Sequence, residues 1–551
     1  MSDISNAGSA ASGDGAATAA PGMGGAGRLT WRQRRRAKKA RRSKLRRWTT
    51  RGVLALVACI VIFAGTVVGI TIYRVDEIGR VAVPNLFKST GGVENILMVG
   101  STSRCAVKPA QNVERFVKEC EQGINGVNSD VIMILRLDSN NHRVSLLSMP
   151  RDTFVPNART GGLYNRVDAA LADGPGQLVQ AIEQDFGIPI NHYVVLNFGS
   201  FTDIVDALGG IDMYFPTQLK DMDGLLQTKT GCQHINGTEA LELVRARHVY
   251  YGYDAKTQTW LNYDGSGDLG RIERDHIFLR VLASSVDRRG LGNIATDESL
   301  LAAVAPQLTV DTTLGVHEML DMLETFHSVS VGDVPEYTTP IVVDTQLYMY
   351  KGYPYGDVVF PTQPQDLQTV DAFMGENPSG LQLRPGSITV SVVDGTGSAT
   401  ATAAVVAKLH ALGYHVVDTG SQTPVGPISE TTVEYSSGAH LQQAEKVLSD
   451  LSGTVVMGHG ATLGGADVTI VTGSDLAVAN ALVGSSHPAA SASTTTSTGP
   501  KSTSKTKSKD STTTTTVATT PNSDGGVLAT PTSATSAIPS YDPRACPTTK
   551  S

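Results

Sequence analysis

The sequence predicts an α/β fold in which a mixed sheet is covered by helices. Short apolar runs typical of buried strands occupy residues 95–99, 131–135 and 144–149. Segments with the apolar spacing of amphipathic helices alternate with these runs, at residues 176–186, 198–208, 238–247 and 271–286. This alternation indicates a sheet that packs against helices.

A second, smaller α/β domain is predicted over residues 387–475. It begins with an apolar strand at 388–393, continues through a helical pattern at 401–412 and ends with a strand at 468–471. Between the two tails lie about four hundred residues, which is more than one core usually supports. The Pro- and Gly-containing stretch 377–386 is therefore the predicted boundary, and the first domain covers residues 93–375.

Both ends of the chain are predicted to be disordered. Residues 1–51 are rich first in Ala, Gly and Ser and then in basic residues, and residues 485–551 are rich in Ser, Thr, Pro and Lys. Such segments hold too few apolar groups to offset the entropy lost on ordering. A purely structural, anchoring role of the C-terminal tail is the alternative.

Residues 52–73 carry no charge and have the length of a transmembrane helix. Residues 31–51 hold twelve Lys and Arg and no acidic residue, so the positive-inside rule places the N-terminus in the cytoplasm and the rest of the chain outside. We therefore expect a single-pass protein of the cell membrane with extracytoplasmic domains. A cleaved signal peptide is the alternative, but the apolar run is long for one.

The charge distribution argues against nucleic acid as a partner. The chain has a net charge of −7, of which residues 1–51 contribute +11, so the remainder carries −18. General binding to nucleic acid needs many distributed basic contacts, which an acidic body lacks. A few clustered arginines in such a body indicate a local anion site instead.

Four of the five cysteines lie in the predicted external part, where disulfides persist. These four permit three connectivities. We expect Cys105 to pair with Cys120, which closes a short loop, and Cys232 to pair with Cys546, which ties the far C-terminus to the body. Free thiols or a metal site are the alternatives, although no C-x-x-C spacing supports zinc.

Arginines stand beside carboxylates in three short motifs of this external part, at residues 150–152, 244–248 and 268–275. A guanidinium is planar, permanently charged and able to bond two oxygens at once, which suits a pyrophosphate. The alternative is that these arginines form structural ion pairs with neighbouring carboxylates such as Glu239, Glu242, Asp268 or Asp275.

The order of the motifs resembles the LytR-CpsA-Psr family. The resemblance covers roughly residues 93 to 330 and rests on the segments 95–100, 129–130, 148–152, 205–210, 237–241, 244–247 and 271–275. Residues 387–475 likewise resemble the LytR C-terminal domain, through the segment 392–397. The resemblance implies a phosphotransferase that moves a glycopolymer from a polyprenyl-pyrophosphate carrier onto a sugar hydroxyl of peptidoglycan.

The resemblance also assigns roles to individual residues. The catalytic residues it implies are Arg151, Asp152, Arg245 and Arg247. The substrate-binding residues it implies are Arg104, Arg166, Arg271 and Arg274. Asp152 is expected either to orient Arg151 or to accept the proton of the acceptor hydroxyl.

The implied cofactor is Mg²⁺ or Mn²⁺, with Asp130 and Thr102 as the protein ligands. Thr102 stands where the family has an aspartate, and a hydroxyl is a neutral and weaker ligand for a hard cation. The metal site is therefore expected to be weaker than in relatives, with the arginines carrying more of the phosphate charge.

A lipid carrier also needs an apolar channel. Segments 188–190, 193–198 and 278–282 could line it, or they could belong to the core. A polyprenyl-phosphate-binding protein or a pyrophosphatase would use the same pocket and is the alternative function. A transcriptional regulator is excluded by the expected topology, because the folded domains lie outside the cell.

Overall fold

The computed structural model describes residues 78–89, 91–101, 127–221, 226–288, 304–326, 328–343, 347–375, 383–418, 428–478 and 539–547. Several predictions fall outside these ranges, namely those on residues 1–51, the membrane helix 52–73, Thr102, Arg104, the Cys105–Cys120 pair and most of the C-terminal tail. Across the described ranges, every helix is too short or too polar to cross a membrane.

Within the described ranges, the chain up to residue 338 contains fourteen strands and five α-helices. The strands are β1 (Gly79–Val81), β2 (Val93–Ser101), β3 (Ser129–Asp138), β4 (Arg143–Met149), β5 (Phe154–Arg159), β6 (Leu163–Arg166), β7 (His192–Asn197), β8 (Ile211–Phe215), β9 (Leu219–Asp221), β10 (Gly231–Ile235), β11 (Val249–Asp254), β12 (Thr259–Tyr263), β13 (Thr309–Asp311) and β14 (Glu336–Thr338). The helices are α1 (Pro175–Phe186), α2 (Phe198–Ala207), α3 (Gly237–Arg245), α4 (Asp268–Arg288) and α5 (Val316–Phe326).

The remaining described elements are eleven strands and three helices. In chain order they are β15 (Ile341–Val343), β16 (Tyr348–Tyr350), β17 (Tyr353–Gly356), β18 (Val359–Gln363), α6 (Gln365–Met374), β19 (Thr389–Asp394), α7 (Ala399–Leu412), β20 (His415–Asp418), β21 (Thr431–Tyr435), α8 (Leu441–Ser449), β22 (Leu451–His459), β23 (Val468–Thr472), β24 (Leu476–Val478) and β25 (Arg544–Ala545).

The central sheet has seven strands in the order β1-β13-β7-β2-β3-β4-β14. It is mixed, because β2 runs antiparallel to β3 and parallel to β7. Its buried side chains, such as Leu97 and Ile134, pack against Leu178 and Ile182 of α1. Those two helix residues are four apart and so share one face of α1. The predicted α/β fold, with a mixed sheet covered by helices, is confirmed.

Helices α2, α3 and α4 build a second apolar cluster, which includes Phe198, Val205, Leu241 and Phe278. Asn197 begins α2 by accepting a hydrogen bond from the Ser200 backbone N–H. A reciprocal capping box begins α3 in the same way. These fixed helix starts position two of the three helices that enclose the candidate site.

The C-terminal sheet follows the order β15-β18-β22-β21-β23-β19-β20, with β24 beside β22. Helices α7 and α8 contribute Leu409, Val447 and Leu448 to its core. Strand β18, which precedes the predicted boundary at 377–386, pairs antiparallel with β22, which follows it. The two predicted domains therefore share a sheet, and all the described residues belong to one compact unit.

Residues 539–547 depart from the expectation of a disordered tail. Strand β25 pairs antiparallel with β8, and Cys546 forms a disulfide with Cys232. The predicted Cys232–Cys546 pair is confirmed. Tail composition alone indicates disorder, but a covalent bond and a strand partner supply the stabilisation that composition cannot reveal.

Candidate functional site

A cavity of about 370 Å³ lies between the C-terminal ends of β2 and β7 and helices α2, α3 and α4. Most of its wall is apolar: Met98, Val99, Val131, Met133, Val194, Leu196, Phe198, Phe201, Ile204, Val205, Leu241, Val244, Phe278, Leu279 and Leu282. Part of segment 193–198 and part of 278–282 thus line a cavity. Ile188 and Ile190 instead belong to the core beside α1, where both are fully buried.

Four of the predicted arginines line this cavity: Arg151, Arg245, Arg247 and Arg271. Four carboxylates line it with them: Asp130, Asp221, Glu242 and Asp275. The arginines come from three separate parts of the chain, which the fold of the sheet and of α3 and α4 brings together.

Arg245 and Arg247 reach the same cavity because the helix ends between them. Arg245 is the last residue of α3, and Ala246 has extended backbone angles of φ −66° and ψ 124°. In a continuing helix, residues two apart would point about 200° away from each other. The Arg245 guanidinium lies 4.4 Å from the centre of the Phe198 ring. Arg247 is half-buried and forms no hydrogen bond or ion pair within the described ranges.

Arg151 is surrounded by carboxylates. It forms a close ion pair with Asp130 and lies 3.5 Å from Asp152. Burial lowers the pKa of this guanidinium, but the neighbouring aspartates Asp130, Asp152, Asp268 and Asp168 raise it overall. Arg151 is therefore a fixed positive charge at the cavity.

Helix α4 contributes Arg271 and Asp275, which are four residues apart and so share one face. The Arg271 guanidinium donates a 2.6 Å hydrogen bond to the Asp130 backbone carbonyl and lies 2.9 Å from Asp268 Oδ1. Both carboxylate oxygens of Asp275 are buried and make no hydrogen bond in the described part of the chain. Burial raises the pKa of Asp275 to about 8, although Arg271 and Arg274 oppose this.

The structure does not bring every predicted residue to the cavity. Asp152 and Arg166 lie 3.3 Å apart as an ion pair, and neither lines the cavity. Asp152 thus stands between Arg166 and Arg151, 3.5 Å from the Arg151 guanidinium. Arg166 also lies 3.5 Å from Asp168, and burial raises the pKa of that carboxyl to about 6.

Arg274 is a structural residue rather than the substrate-binding residue that the sequence predicts. Its side chain is fully buried, lies 2.9 Å from Asp264 and 3.4 Å from Asp542, and donates a 3.0 Å hydrogen bond to the Ala246 carbonyl. The motif places two arginines three residues apart on α4, but only Arg271 faces the cavity. Through its hydrogen bond to the Ala246 carbonyl, Arg274 instead holds the backbone between Arg245 and Arg247 in place.

Asp275 is expected from the sequence only as a possible ion-pair partner, yet it lines the cavity. The signal was its spacing, because Asp275 follows Arg271 by four residues on a predicted helix. Asp221 and Glu242 carried no comparable signal. Asp221 belongs to the short strand β9, whose position depends on pairing with β11.

The donors around the cavity fit a divalent cation. Mg²⁺ takes few protein ligands, mostly carboxylates, and completes its shell with water and phosphate oxygens. Asp130 offers a carboxylate at the cavity, and Asp275 offers two buried oxygens without a hydrogen bond. A buried carboxylate with a raised pKa is also a group that a bound cation would stabilise in its charged form.

Comparison with known proteins gives two family matches. Residues 79–358 match the LytR-CpsA-Psr family model, and residues 387–476 match the model described as LytR cell envelope-related transcriptional attenuator.

Three curated relatives show the range of similarity. The probable cell wall biosynthesis protein LcpB of Corynebacterium glutamicum is 30% identical over 243 residues, which are 44% of this chain and 52% of LcpB. The Bacillus subtilis polyisoprenyl-teichoic acid–peptidoglycan teichoic acid transferase TagV is 28% identical over 39% of this chain and 51% of TagV. The cell wall biosynthesis protein LcpA of C. glutamicum is 24% identical over 67% of this chain and 76% of LcpA. The matches thus span about half the length of LcpB and TagV.

Two solved structures are similar to this chain. The LytR-Csp2A-Psr enzyme from Actinomyces oris has 21% identity and a TM-score of 0.42, with 55% of this chain and 97% of that chain covered. TagV from B. subtilis has 22% identity and a TM-score of 0.38, with 53% and 100% covered. Because a single family model spans half of the sequence, this chain belongs to the LytR-CpsA-Psr family.

Proposed function

We propose that this chain is a membrane-anchored, extracytoplasmic phosphotransferase. It moves a glycopolymer from a polyprenyl-pyrophosphate carrier onto peptidoglycan and leaves a phosphodiester link. The main support for the proposal is a single cavity that combines apolar walls with four arginines. Such a cavity suits a ligand with a lipid part and a pyrophosphate part.

The names of the relatives agree with this substrate class. TagV is named for the transfer of teichoic acid from a polyisoprenyl carrier to peptidoglycan, and LcpB for cell wall biosynthesis. The membrane anchor is supported by the apolar run at 52–73 and the basic residues before it. An external location puts the cavity on the side of the membrane where peptidoglycan is found.

In the proposed reaction, the acceptor sugar hydroxyl attacks the phosphorus that carries the glycan. A new P–O bond forms to the hydroxyl oxygen, and the bond from that phosphorus to the bridging oxygen breaks. Polyprenyl phosphate leaves with the negative charge of the bridging oxygen. Arg151, Arg245, Arg247 and Arg271 stabilise the charge that develops on the phosphate oxygens.

The hydroxyl proton passes to a carboxylate of the cavity. Asp275 suits this role better than Asp152, because Asp275 lines the cavity and has a pKa of about 8. A group with a pKa near neutrality can take a proton from the acceptor and release it afterwards. Asp152, held by Arg151 and Arg166, orients Arg151 instead.

A divalent cation, Mg²⁺ or Mn²⁺, would be held by the Asp130 carboxylate, with phosphate oxygens and water as its other ligands, and would neutralise part of the pyrophosphate charge. Thr102, the other predicted ligand, lies outside the described residues.

A transfer assay tests the proposal. The full chain in detergent is incubated with a polyprenyl-pyrophosphate-linked glycan, peptidoglycan and Mg²⁺, and the polymer attached to peptidoglycan is measured. Arg247→Gln should lower transfer by about 100-fold or more, as expected when a donor to the reacting oxygens is lost. Arg159→Gln is the matched control, because Arg159 pairs with Asp173 at the surface, outside the cavity.

Each outcome of this assay has a distinct meaning. Polyprenyl phosphate released without attached polymer would favour a pyrophosphatase, and tight lipid binding without turnover would favour a carrier-binding protein. Equal transfer by Arg247→Gln and the parent would contradict the role of this cavity.

A further inference from the structure

A cluster of Glu94, His192 and Glu318 lies at the opposite end of the central sheet from the cavity. Glu94 stands near the start of β2 and His192 at the start of β7, whereas the cavity lies at the far ends of both strands. Glu94 and Gly100 are six residues apart on β2, so the cluster is about 20 Å from that part of the cavity wall. It is therefore separate from the proposed phosphotransfer site.

Asp311 fixes the orientation of the His192 ring. The Asp311 Oδ2 atom lies 3.2 Å from His192 Nδ1 and accepts a 3.0 Å hydrogen bond from the Tyr193 backbone N–H. The Oδ1 atom accepts hydrogen bonds from the backbone N–H groups of Thr313 and Leu314, at 2.7 and 2.9 Å. A carboxylate held in this way accepts a hydrogen bond from Nδ1–H, so the free electron pair of the neutral ring lies on Nε2.

The Nε2 atom faces two carboxylate oxygens. It lies 3.4 Å from Glu318 Oε1 and 3.9 Å from Glu94 Oε2. His192 is 96% buried, and neither its Nε2 atom nor Glu94 Oε2 makes a hydrogen bond in the described part of the chain. The Nε2 atom and the two carboxylate oxygens are thus three electron-pair donors that face one another without a hydrogen bond between them.

The other oxygens of the two glutamates are held by the protein. Ser89 donates a 3.0 Å hydrogen bond to Glu94 Oε1, and the Gly315 backbone N–H donates a 3.3 Å bond to Glu318 Oε2. Each glutamate therefore turns its second oxygen toward His192. The arrangement provides one nitrogen and two oxygen ligands, each with a supporting partner.

We propose that Glu94, His192 and Glu318 bind a divalent cation of the zinc class. The three donor atoms all lie within 4.8 Å of one another. Metal–ligand distances of about 2.0–2.2 Å in a tetrahedral site place neighbouring ligand atoms about 3.3–3.6 Å apart, so a small closing movement completes the site. An imidazole ligand selects zinc over magnesium or calcium.

The site has a structural role. It joins β2 and β7 to the first turn of α5, and Asp311 of β13 orients its histidine. Glu318 is partly exposed, so water reaches the fourth position of the ion. Binding to the folded state alone stabilises this edge of the sheet by an amount that grows with the logarithm of the free metal concentration.

The test uses the full chain purified in detergent and freed of metal with a chelator. Zinc chloride is titrated by calorimetry, bound zinc is measured by elemental analysis, and Co²⁺ is added separately to record the visible absorption of a tetrahedral ion. We expect one ion per chain at this site and a higher unfolding temperature with zinc than without it.

Variants separate this site from other zinc ligands. Glu318→Gln and His192→Gln should each weaken the affinity by more than about 100-fold, since loss of a supporting partner alone costs about 10–100-fold. Glu318 is partly exposed, so its variant keeps the test valid if His192→Gln fails to fold. His234→Gln is the matched control, because His234 forms an exposed pair with Asp212 at 2.8 Å.

Failure to bind zinc, or equal affinity in Glu318→Gln and the parent, would overturn the proposal. The first result would mean that His192 is a protonated imidazole held by its three carboxylate neighbours. Because the readouts are metal affinity and unfolding temperature, the result does not depend on the transfer reaction proposed above.

Discussion

Substitution of Arg274 by Gln should destabilise the protein without removing a substrate contact. The guanidinium is fully buried and pairs with Asp264 and Asp542, which are themselves buried. It also holds the Ala246 carbonyl at 3.0 Å. Its removal leaves two carboxylates in a site that excludes water.

The size of the destabilisation can be estimated from these contacts. Breaking a buried ion pair by removing one partner costs about 3–5 kcal/mol. Loss of the hydrogen bond to Ala246 adds about 1 kcal/mol. We therefore expect Arg274→Gln to lower the free energy of unfolding by about 4–6 kcal/mol near neutral pH.

The loss of unfolding free energy in Arg274→Gln should depend on pH in a defined direction. In the parent, burial raises the pKa of Asp542 to about 6, although Arg274 opposes this. Without Arg274, both carboxyls would be stabilised as neutral acids, so protonation at low pH relieves the unpaired charge. The destabilisation should consequently be smaller at about pH 5 than at about pH 8.

Urea unfolding followed by tryptophan fluorescence measures the effect. Arg247→Gln is the comparison, because Arg247 is half-buried and has no ion pair among the described residues; its free energy of unfolding should stay within about 0.5 kcal/mol of the parent. Binding of a polyprenyl pyrophosphate should show the opposite order, with the larger loss in Arg247→Gln. Parent-like stability together with lost binding in Arg274→Gln would refute this reasoning and restore Arg274 as a substrate contact.

Three further predictions concern the cavity and the C-terminal segment. The pKa of Asp275, raised to about 8 by burial, means that its contribution to stability is complete below the pKa of the unfolded state and is lost as pH rises through 8. The urea concentration at the midpoint of unfolding should therefore fall less steeply between about pH 5 and about pH 9 in Asp275→Asn than in the parent. The same pH dependence in both proteins would contradict the raised pKa of Asp275. Cys232→Ser should lower stability by about 2–5 kcal/mol, an effect that Cys546→Ser reproduces if the two form one disulfide; unequal losses in urea unfolding would argue against it. Leu282→Glu places a charge in the apolar wall and should weaken binding of a polyprenyl phosphate, measured by lipid sedimentation, but not of inorganic pyrophosphate; equal loss of both would indicate damage to the fold instead.

The sequence predicted the central elements well because their patterns are long and local. The apolar runs at 95–99, 131–135 and 144–149 lie within β2, β3 and β4, and the helical pattern at 176–186 coincides with α1. A buried strand needs apolar residues on both faces. Its continuous apolar run can therefore be recognised in the sequence without knowing which strands lie beside it.

The sheet that the two predicted domains share could not be read from the sequence, for a physical reason. The stretch 377–386 has the composition of a linker, and composition reports only local backbone preference. Pairing between β18 and β22 joins residues about 90 positions apart in sequence, and no local pattern encodes that register.

The candidate site was predicted in part. Arg151, Arg245, Arg247, Arg271 and Asp130 all line the cavity. Arg274 does not, because the face of α4 that meets the cavity depends on how that helix packs against α3. Asp542 illustrates the same limit, since it reaches Arg274 from a segment whose composition indicates disorder.

The fold class, the order of the motifs and the clustering of arginines beside carboxylates in an acidic body could all be read from the sequence. Those properties depend on residue type and short-range periodicity, which every chain displays before it folds. The packed fold was needed to show which arginines face the cavity, that burial raises the pKa of Asp275 there, and that Glu94, His192 and Glu318 meet. Each of these depends on burial and on contacts between residues far apart in sequence, which arise only when the sheet and its helices have packed.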